Sequence, residues 1–348
     1  MTMPATRTQR RTRTAGSAEA AGRADALIRS LRDTLDRTLR PLLAGVSRVA
    51  LLDVPTHQNV GDSAIHLGAL AVLRRAGVEV CYACSIETYA PDTLARKLGD
   101  GAILLAGGGN LGDVWPLHQG LRERVLADFP DTPVIQLPQS LHFGDPAALE
   151  RARATFGAHR RLTILLRDAR SLEAARCAFD APTALCPDLA FALGMLERPV
   201  AASAPVVWLA RRDREAAPNS HAGSHPTFDW ALEPPSPLSR MERMGHALTS
   251  AHPRLEPYTH GPLMRLGVLA SRRRVRSGCA MLAAGATVIT DRLHGHILSL
   301  LLGIPHALLD NSYGKVRSFY ETWTHEAPIV RWADSAADAV RTVEKWTS

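Results

Sequence analysis

The chain has 348 residues, of which 46% are hydrophobic and 22% charged. This composition excludes fibrous and wholly disordered classes, and the length exceeds what one core usually organises, so two domains are expected. The formal charge is +7, yet Arg7, Arg10, Arg11 and Arg13 carry four of those charges in a Thr-rich N-terminal stretch, which leaves an excess better suited to a small anionic ligand than to a nucleic-acid surface.

Residues 1–17 read as a solvated, disordered basic arm. Arg10-Arg11 has the look of a twin-arginine signal, but no apolar segment follows it, and no apolar run anywhere approaches the roughly 18 residues of a membrane span. The expected compartment is therefore the cytoplasm. After a helix over 24–40, short apolar runs alternate with helix-length patterns. Strands are expected at 48–54, 78–83, 102–106, 134–137, 162–166 and 183–186, with helices at 63–75, 87–97, 117–129, 146–156 and 171–179. Such alternation predicts parallel pairing with crossover helices, a doubly wound lobe over 18–200. Cys81 and Cys84 have C-x-x-C spacing but no second ligand pair. Five scattered cysteines make no disulfide framework, so the pair reads as small hydrophobes at a strand end.

Pro, Ala and Ser near 198–205 mark a boundary, after which a second lobe is expected over 205–330. It opens with a strand at 206–210 and carries an aperiodic insertion over 213–237, where His221, His225 and Asp229 read as solvated loop residues rather than metal ligands. Helices follow at 240–252 and 262–284, then strand 287–290, helix 295–302, strand 306–309 and helix 315–323. A final helix within 331–348 would return across the first lobe. The run Arg272, Arg273, Arg274 and Arg276 reads as a solvated helix face, with a polyanionic partner as the alternative.

In open parallel sheets ligands bind beyond the carboxyl ends of the strands. After the first strand stand Asn59, Gly61, Asp62 and Ser63, where Asp62 or Ser63 would cap a helix. After the third come Gly107, Gly108, Gly109, Asn110 and Gly112, whose backbone amides could approach an anion, although no Walker lysine follows. Gln139 and Ser140 follow the fourth strand and Arg167-Asp168 the fifth. An arginine there needs an anionic partner, either a ligand or a carboxylate such as Asp168 or Asp188. In the second lobe Asp291-Arg292-Leu293-His294 delivers a cation and an imidazole to a helix start, where anion binding and proton transfer are both served.

Taken in order, Asn59-Val60-Gly61-Asp62 with Ile65, Gly107-Gly108-Gly109-Asn110, Pro138-Gln139-Ser140, Arg167-Asp168 with Ser171, Pro187-Asp188 and Asp291-Arg292-Leu293-His294 resemble the motifs of the polysaccharide pyruvyl transferase family, over about 49–320. The resemblance implies an α/β, GT-B-like fold of two facing Rossmann-like lobes. It also implies phosphoenolpyruvate as donor substrate, and transfer of pyruvate as a ketal to a sugar of an exopolysaccharide or cell-wall glycan precursor. Arg292, His294 and Arg167 would then be catalytic. Asn59, Gly61, Asp62, Gly107, Gly108, Gly109, Asn110, Gln139, Ser140 and Lys315 would bind substrate, with no cofactor and no metal. The implied partners are phosphoenolpyruvate and a sugar or lipid-linked oligosaccharide, without nucleic acid. Peripheral association with membrane-bound glycan assembly machinery at the inner face of the membrane is a further implied partnership. The rival readings are a GT-B-type glycosyltransferase using a nucleotide-sugar, a non-catalytic sugar-binding relative, and a family member that transfers another group.

Overall fold

The structure is a computed structural model and describes residues 7–217 and 226–347. In chain order its first elements are α1 (Arg7–Leu42), β1 (Arg48–Leu52), α2 (Val60–Ala76), β2 (Glu79–Cys84), α3 (Pro91–Leu98), β3 (Ala102–Leu105), β4 (Gly108–Gly112), α4 (Pro116–Asp128), β5 (Val134–His142), α5 (Pro146–Ala158), β6 (Leu162–Leu166), α6 (Ala169–Ala178) and β7 (Thr183–Leu185). Their strands form a sheet in the order β2-β1-β3-β5-β6-β7, with β4 paired to β5, and every pairing is parallel. The central strands are buried along most of their length, as apolar runs such as Ala102–Leu105 require once helices cover both faces. Leu52, Ile103, Val134 and Ile164 from the sheet pack with Val125 and Phe156 from the helices.

The second set comprises β8 (Ala204–Leu209), β9 (Thr227–Phe228), α7 (Pro237–Ala251), α8 (Glu256–Ala283), β10 (Gly285–Thr290), α9 (Leu293–Leu301), β11 (His306–Leu308), α10 (Lys315–Phe319), β12 (Val330–Trp332) and α11 (Ala336–Thr347). Strand order is β12-β11-β10-β8-β9, again all parallel. Trp208, Ile289 and Ala307 form its core with Ala336, Ala339 and Val343 of α11. The final helix thus packs on the second sheet, not on the first as chain order had suggested. Both sheets have the Rossmann-like form expected, the two-sheet composition of a GT-B-like fold.

Two compact units result. One holds the first sheet and is drawn from Arg32–Leu193 and Asp229–Gly278; the other holds the second sheet and takes its described residues from Met1–Leu31, Gly194–Phe228 and Cys279–Ser348. The division differs from a single boundary near 198–205, because α7 and most of α8 group with the first sheet. Other departures are local. Residues 7–17, expected as a disordered arm, lie in α1, and the glycine run Gly108–Gly112 is a strand. The described part of the 213–237 insertion includes β9 and a 3-10 turn, Trp230–Leu232, whose Trp230 is buried. His221 and His225 lie outside the described residues. No described helix is long and apolar enough to cross a membrane.

Candidate functional site

Each sheet has one place where the chain reverses its direction of winding. In the second sheet it lies between β8 and β10, because β9 extends the sheet on one side of β8 and β10 on the other. Strand-end loops diverge at such a point and leave a crevice where ligands bind. The residues that leave β8 and β10 there are Arg211 and Asp291-Arg292.

Arg211, Arg292 and Lys315 are all buried at this edge. Arg211 Nη1 is 3.1 Å from Asp213 and 2.6 Å from Glu215; Arg292 Nη2 is 3.2 Å from Asp213; Lys315 Nζ donates to Glu215. Two arginines that follow strand ends and a lysine at the start of α10 therefore share two carboxylates of one short loop. The backbone supports each position: Asp291 Oδ1 accepts from the Arg211 amide at 2.8 Å, and Asn311 Oδ1 accepts from the Lys315 amide at 3.0 Å. Burial opposes the charge of Arg211, but Glu215, Asp213 and Asp291 outweigh it and hold its pKa above the ordinary value. Burial pushes Asp291 up, against the amide of Arg211 and the charges of Arg211 and Arg292. Its Oδ2 has no hydrogen-bond partner among the described residues.

His294 lies in the first turn of α9, two residues after Arg292, and is 9% exposed. Gly295, next to it, is required by packing: a Cβ there would stand 2.4 Å from Thr290 Oγ1. Behind this turn His296 Nδ1 is 2.7 Å from His306 Nε2, His306 Nδ1 is 2.7 Å from the Ile304 carbonyl, and His296 Nε2 is 2.9 Å from Thr324 Oγ1. The carbonyl must accept from His306, which makes His306 Nε2 an acceptor and fixes both tautomers. Burial lowers the pKa of His306 to about 4 and, helped by His306 and His294, lowers that of His296 well below the usual range. This pair stays neutral and anchors α9 to β11.

In the first sheet the winding reverses between β1 and β3. Asp53, immediately after β1, has φ 68°, a left-handed conformation seldom adopted by a side-chain-bearing residue. Its carboxylate is 2.8 Å from His118 Nδ1 near the start of α4 and 3.5 Å from Asn110 Nδ2. A carboxylate on Nδ1 leaves Nε2 of His118 as the acceptor, the arrangement of an oriented base. Nothing in the local sequence announced this pair, since neither residue belongs to a recognisable motif.

The glycine run serves the sheet. Gly112 has φ 126°, and a Cβ on it would lie 1.8 Å from the His142 carbonyl oxygen; Gly108 has φ 138°. The Asn110 amide donates to Gln139 Oε1 at 3.0 Å and Gln139 Nε2 donates to Asn110 Oδ1 at 2.7 Å. That amide is accordingly engaged within the protein. Arg122, buried, donates to Gln136 and to the Asn110 carbonyl; burial lowers its pKa to about 10, against the charge of Asp53.

Beside this edge the remaining motif residues bind one another. Arg167, 1% exposed, pairs with Asp188 at 2.7 Å and donates from Nε to Ser140 Oγ at 2.9 Å. Ser140 donates to Asp168 at 2.7 Å, and Asp168 caps α6 by accepting from the Ser171 amide. The network ties together the ends of β5, β6 and β7, and Asp188 is the structural partner that Arg167 required. Asn59 caps α2 by accepting from the Gly61 amide at 3.0 Å, and its Nδ2 donates to Asp62 at 2.7 Å. The cap is therefore Asn59, not Asp62 or Ser63. Arg274, from the basic run, is buried rather than solvated: it pairs with Glu242 at 2.7 Å and donates to Ser63 Oγ and the Pro55 carbonyl, both at 2.9 Å.

The second-sheet edge thus unites Arg292, Lys315 and Asp291 with Arg211, Asp213 and Glu215, the last three missed by sequence reasoning. Among the described residues no group of three or more His, Cys, Asp or Glu could hold a metal ion.

Residues 59–313 match the polysaccharide pyruvyl transferase family. The chain is 32% identical to "Pyruvyl transferase 1" of Schizosaccharomyces pombe, over 87% of its own length and 75% of that protein. It is 31% identical to "Putative pyruvyl transferase EpsO" of Bacillus subtilis, over 84% of the chain and 90% of that protein. A solved Klebsiella pneumoniae structure of uncharacterised function matches 88% of the chain and 99% of its own with a TM-score of 0.58; at 15% identity that likeness concerns the fold.

Proposed function

Because the chain belongs to the polysaccharide pyruvyl transferase family, we propose that it transfers pyruvate from phosphoenolpyruvate to hydroxyls of a sugar in an exopolysaccharide or cell-wall glycan precursor, as a ketal. The observation that carries the donor assignment is the gathering of Arg211, Arg292 and Lys315 where the second sheet reverses its winding. Phosphoenolpyruvate presents a carboxylate and a phosphate, so it needs several cations held apart on fixed backbone, and arginine binds such planar or tetrahedral anions through two parallel N–H bonds. The N-terminus of α9 adds its dipole.

In this reading a proton goes to the methylene carbon of phosphoenolpyruvate, and the adjacent carbon becomes electrophilic. One sugar hydroxyl attacks it and loses its proton; a second hydroxyl closes the ketal as the C–O bond to phosphate breaks and phosphate leaves. His294, beside Arg292, is the acid or base, and Asp291 is a further group able to hold the proton. The pairing of Arg167 with Asp188 supports a scaffold role for Arg167 rather than direct chemistry. The engagement of the Asn110 amide likewise favours a structural role for the glycine run.

The test is incubation with phosphoenolpyruvate and a panel of glycosides, following phosphate release and product mass. Phosphate release matched by a glycoside carrying one added pyruvyl ketal supports the reading. Consumption of a nucleotide-sugar instead overturns it. A His294→Ala variant should keep its fold and lose turnover, and near-normal product formation by it would refute the role given to His294.

A further inference from the structure

Helix α7 is built with its polarity reversed. Its buried residues are Ser239, Glu242, His246 and Thr249, spaced i, i+3, i+7 and i+10 along one face. Polar bonds hold that face in place. His246 Nδ1 is 3.1 Å from both Ser85 Oγ and Thr88 Oγ1, Glu242 pairs with Arg274, and Thr249 Oγ1 donates to Thr259 Oγ1 at 2.9 Å. The apolar residues Met241, Met244 and Leu248, at i, i+3 and i+7, point outward and are 60%, 71% and 50% exposed. A helix of a globular protein normally buries such a stripe. Reversal costs burial, and the side-chain bonds made by the inward face are polar.

Helix α8, packed against α7 where Gly245 meets Leu263, continues the pattern. Tyr258 and Leu269 are 79% and 50% exposed, and Arg265, Arg272 and Arg276 share their helical face. On α7 the exposed Arg240 and Arg243 flank the methionines. Between 229 and 278 the sole exposed carboxylate of the described residues is Glu233; Asp229, Glu242 and Glu256 are buried.

We propose that this α7–α8 hairpin is a docking surface for an anionic lipid bilayer. Apolar side chains set among arginines, without carboxylates, match the headgroup and acyl boundary of such a bilayer, with methionine and leucine entering the apolar layer and tyrosine sitting at its edge. The arginines match lipid phosphates. A second copy of the chain is a poor occupant, since a two-fold contact would lay one arginine-bearing face with few carboxylates on another. The proposal is independent of the donor assignment, because none of these residues lies at the edge of the second sheet.

The experiment is co-sedimentation of the full chain with vesicles of phosphatidylcholine alone and of phosphatidylcholine mixed with phosphatidylglycerol. Binding to the mixed vesicles alone, weakened by salt, is expected. Met241→Ser with Met244→Ser and Leu248→Ser should lower the partition coefficient about tenfold or more. Arg240→Gln and Arg243→Gln should each lower it roughly fivefold. All five positions are exposed, so the urea midpoint should be unchanged and a folding defect is separable. Absence of binding to anionic vesicles at low salt would overturn the proposal. So would binding unaffected by both sets of variants, a dimer abolished by them without vesicle binding, or binding to a soluble acidic polymer but not to vesicles.

Discussion

The guanidinium of Arg292 lies 3.2 Å from the carboxylate of Asp213, a residue that stands two positions after Arg211 and is bonded to it as well. An anion arriving at Arg292 must compete with this carboxylate. Asp213 is 30% exposed in its side chain, so the pair is only partly desolvated and contributes on the order of 1 kcal/mol. Asp213→Asn should therefore tighten phosphoenolpyruvate binding about fivefold in a calorimetric titration. Weakened binding would show that Asp213 orients Arg292 for the ligand instead.

Asp53 combines a left-handed backbone with a bond to His118. Glycine is ordinarily the more destabilising replacement because it frees the unfolded chain, but at φ 68° an alanine Cβ is strained and glycine is not. Asp53→Ala should be less stable than Asp53→Gly by about 1 kcal/mol in urea denaturation. The reverse order would mean that the positive φ is not kept in solution.

His66 is buried on α2, with Nδ1 3.0 Å from Ser271 Oγ. Burial, and then the charge of Arg274, lower its pKa from 6.5 to about 4. Between those values the unfolded chain binds a proton that the folded chain refuses. Stability from this residue is therefore complete above pH 6.5 and falls as pH drops toward 4, by up to about 1.4 kcal/mol per pH unit. His66→Gln should flatten the pH dependence of the urea midpoint in that window, and an identical slope in both proteins would contradict the assignment.

Arg273 and Arg274 are neighbours with opposite fates, one exposed and one held by Glu242, Ser63 and Pro55. Arg274→Ala would leave Glu242 buried without its partner and should cost about 3 kcal/mol. Arg273→Ala should change stability by less than about 0.5 kcal/mol. Comparable losses would place both on the same solvated face.

The contrast between these arginines shows what was legible in the sequence. Strand and helix order could be read because apolar runs and 3.6-residue patterns encode burial directly, and both parallel sheets followed from that alternation. The grouping of α7 and α8 with the first sheet could not, because His246–Ser85, Arg274–Ser63 and His66–Ser271 are polar bonds between distant residues that leave no hydrophobic period. Strand β4 was hidden by its glycines, which disfavour strands in general but are required here by φ and by the close His142 carbonyl. At the second-sheet edge Arg292 stood out beside a helix start, and Lys315 came only from the family resemblance. Arg211, Asp213 and Glu215 stood in a stretch without periodicity, and only the meeting of strand ends revealed them.

In the proposed function the second sheet's cationic edge holds the donor. Calorimetric titration of the protein and of its Arg292→Ala variant with phosphoenolpyruvate, and separately with a nucleoside diphosphate, is the decisive measurement. Uptake of phosphoenolpyruvate, weakened at least about thirtyfold in the variant and without nucleotide binding, is the predicted result. Equal affinity in both proteins, or nucleotide uptake with no response to phosphoenolpyruvate, would contradict it.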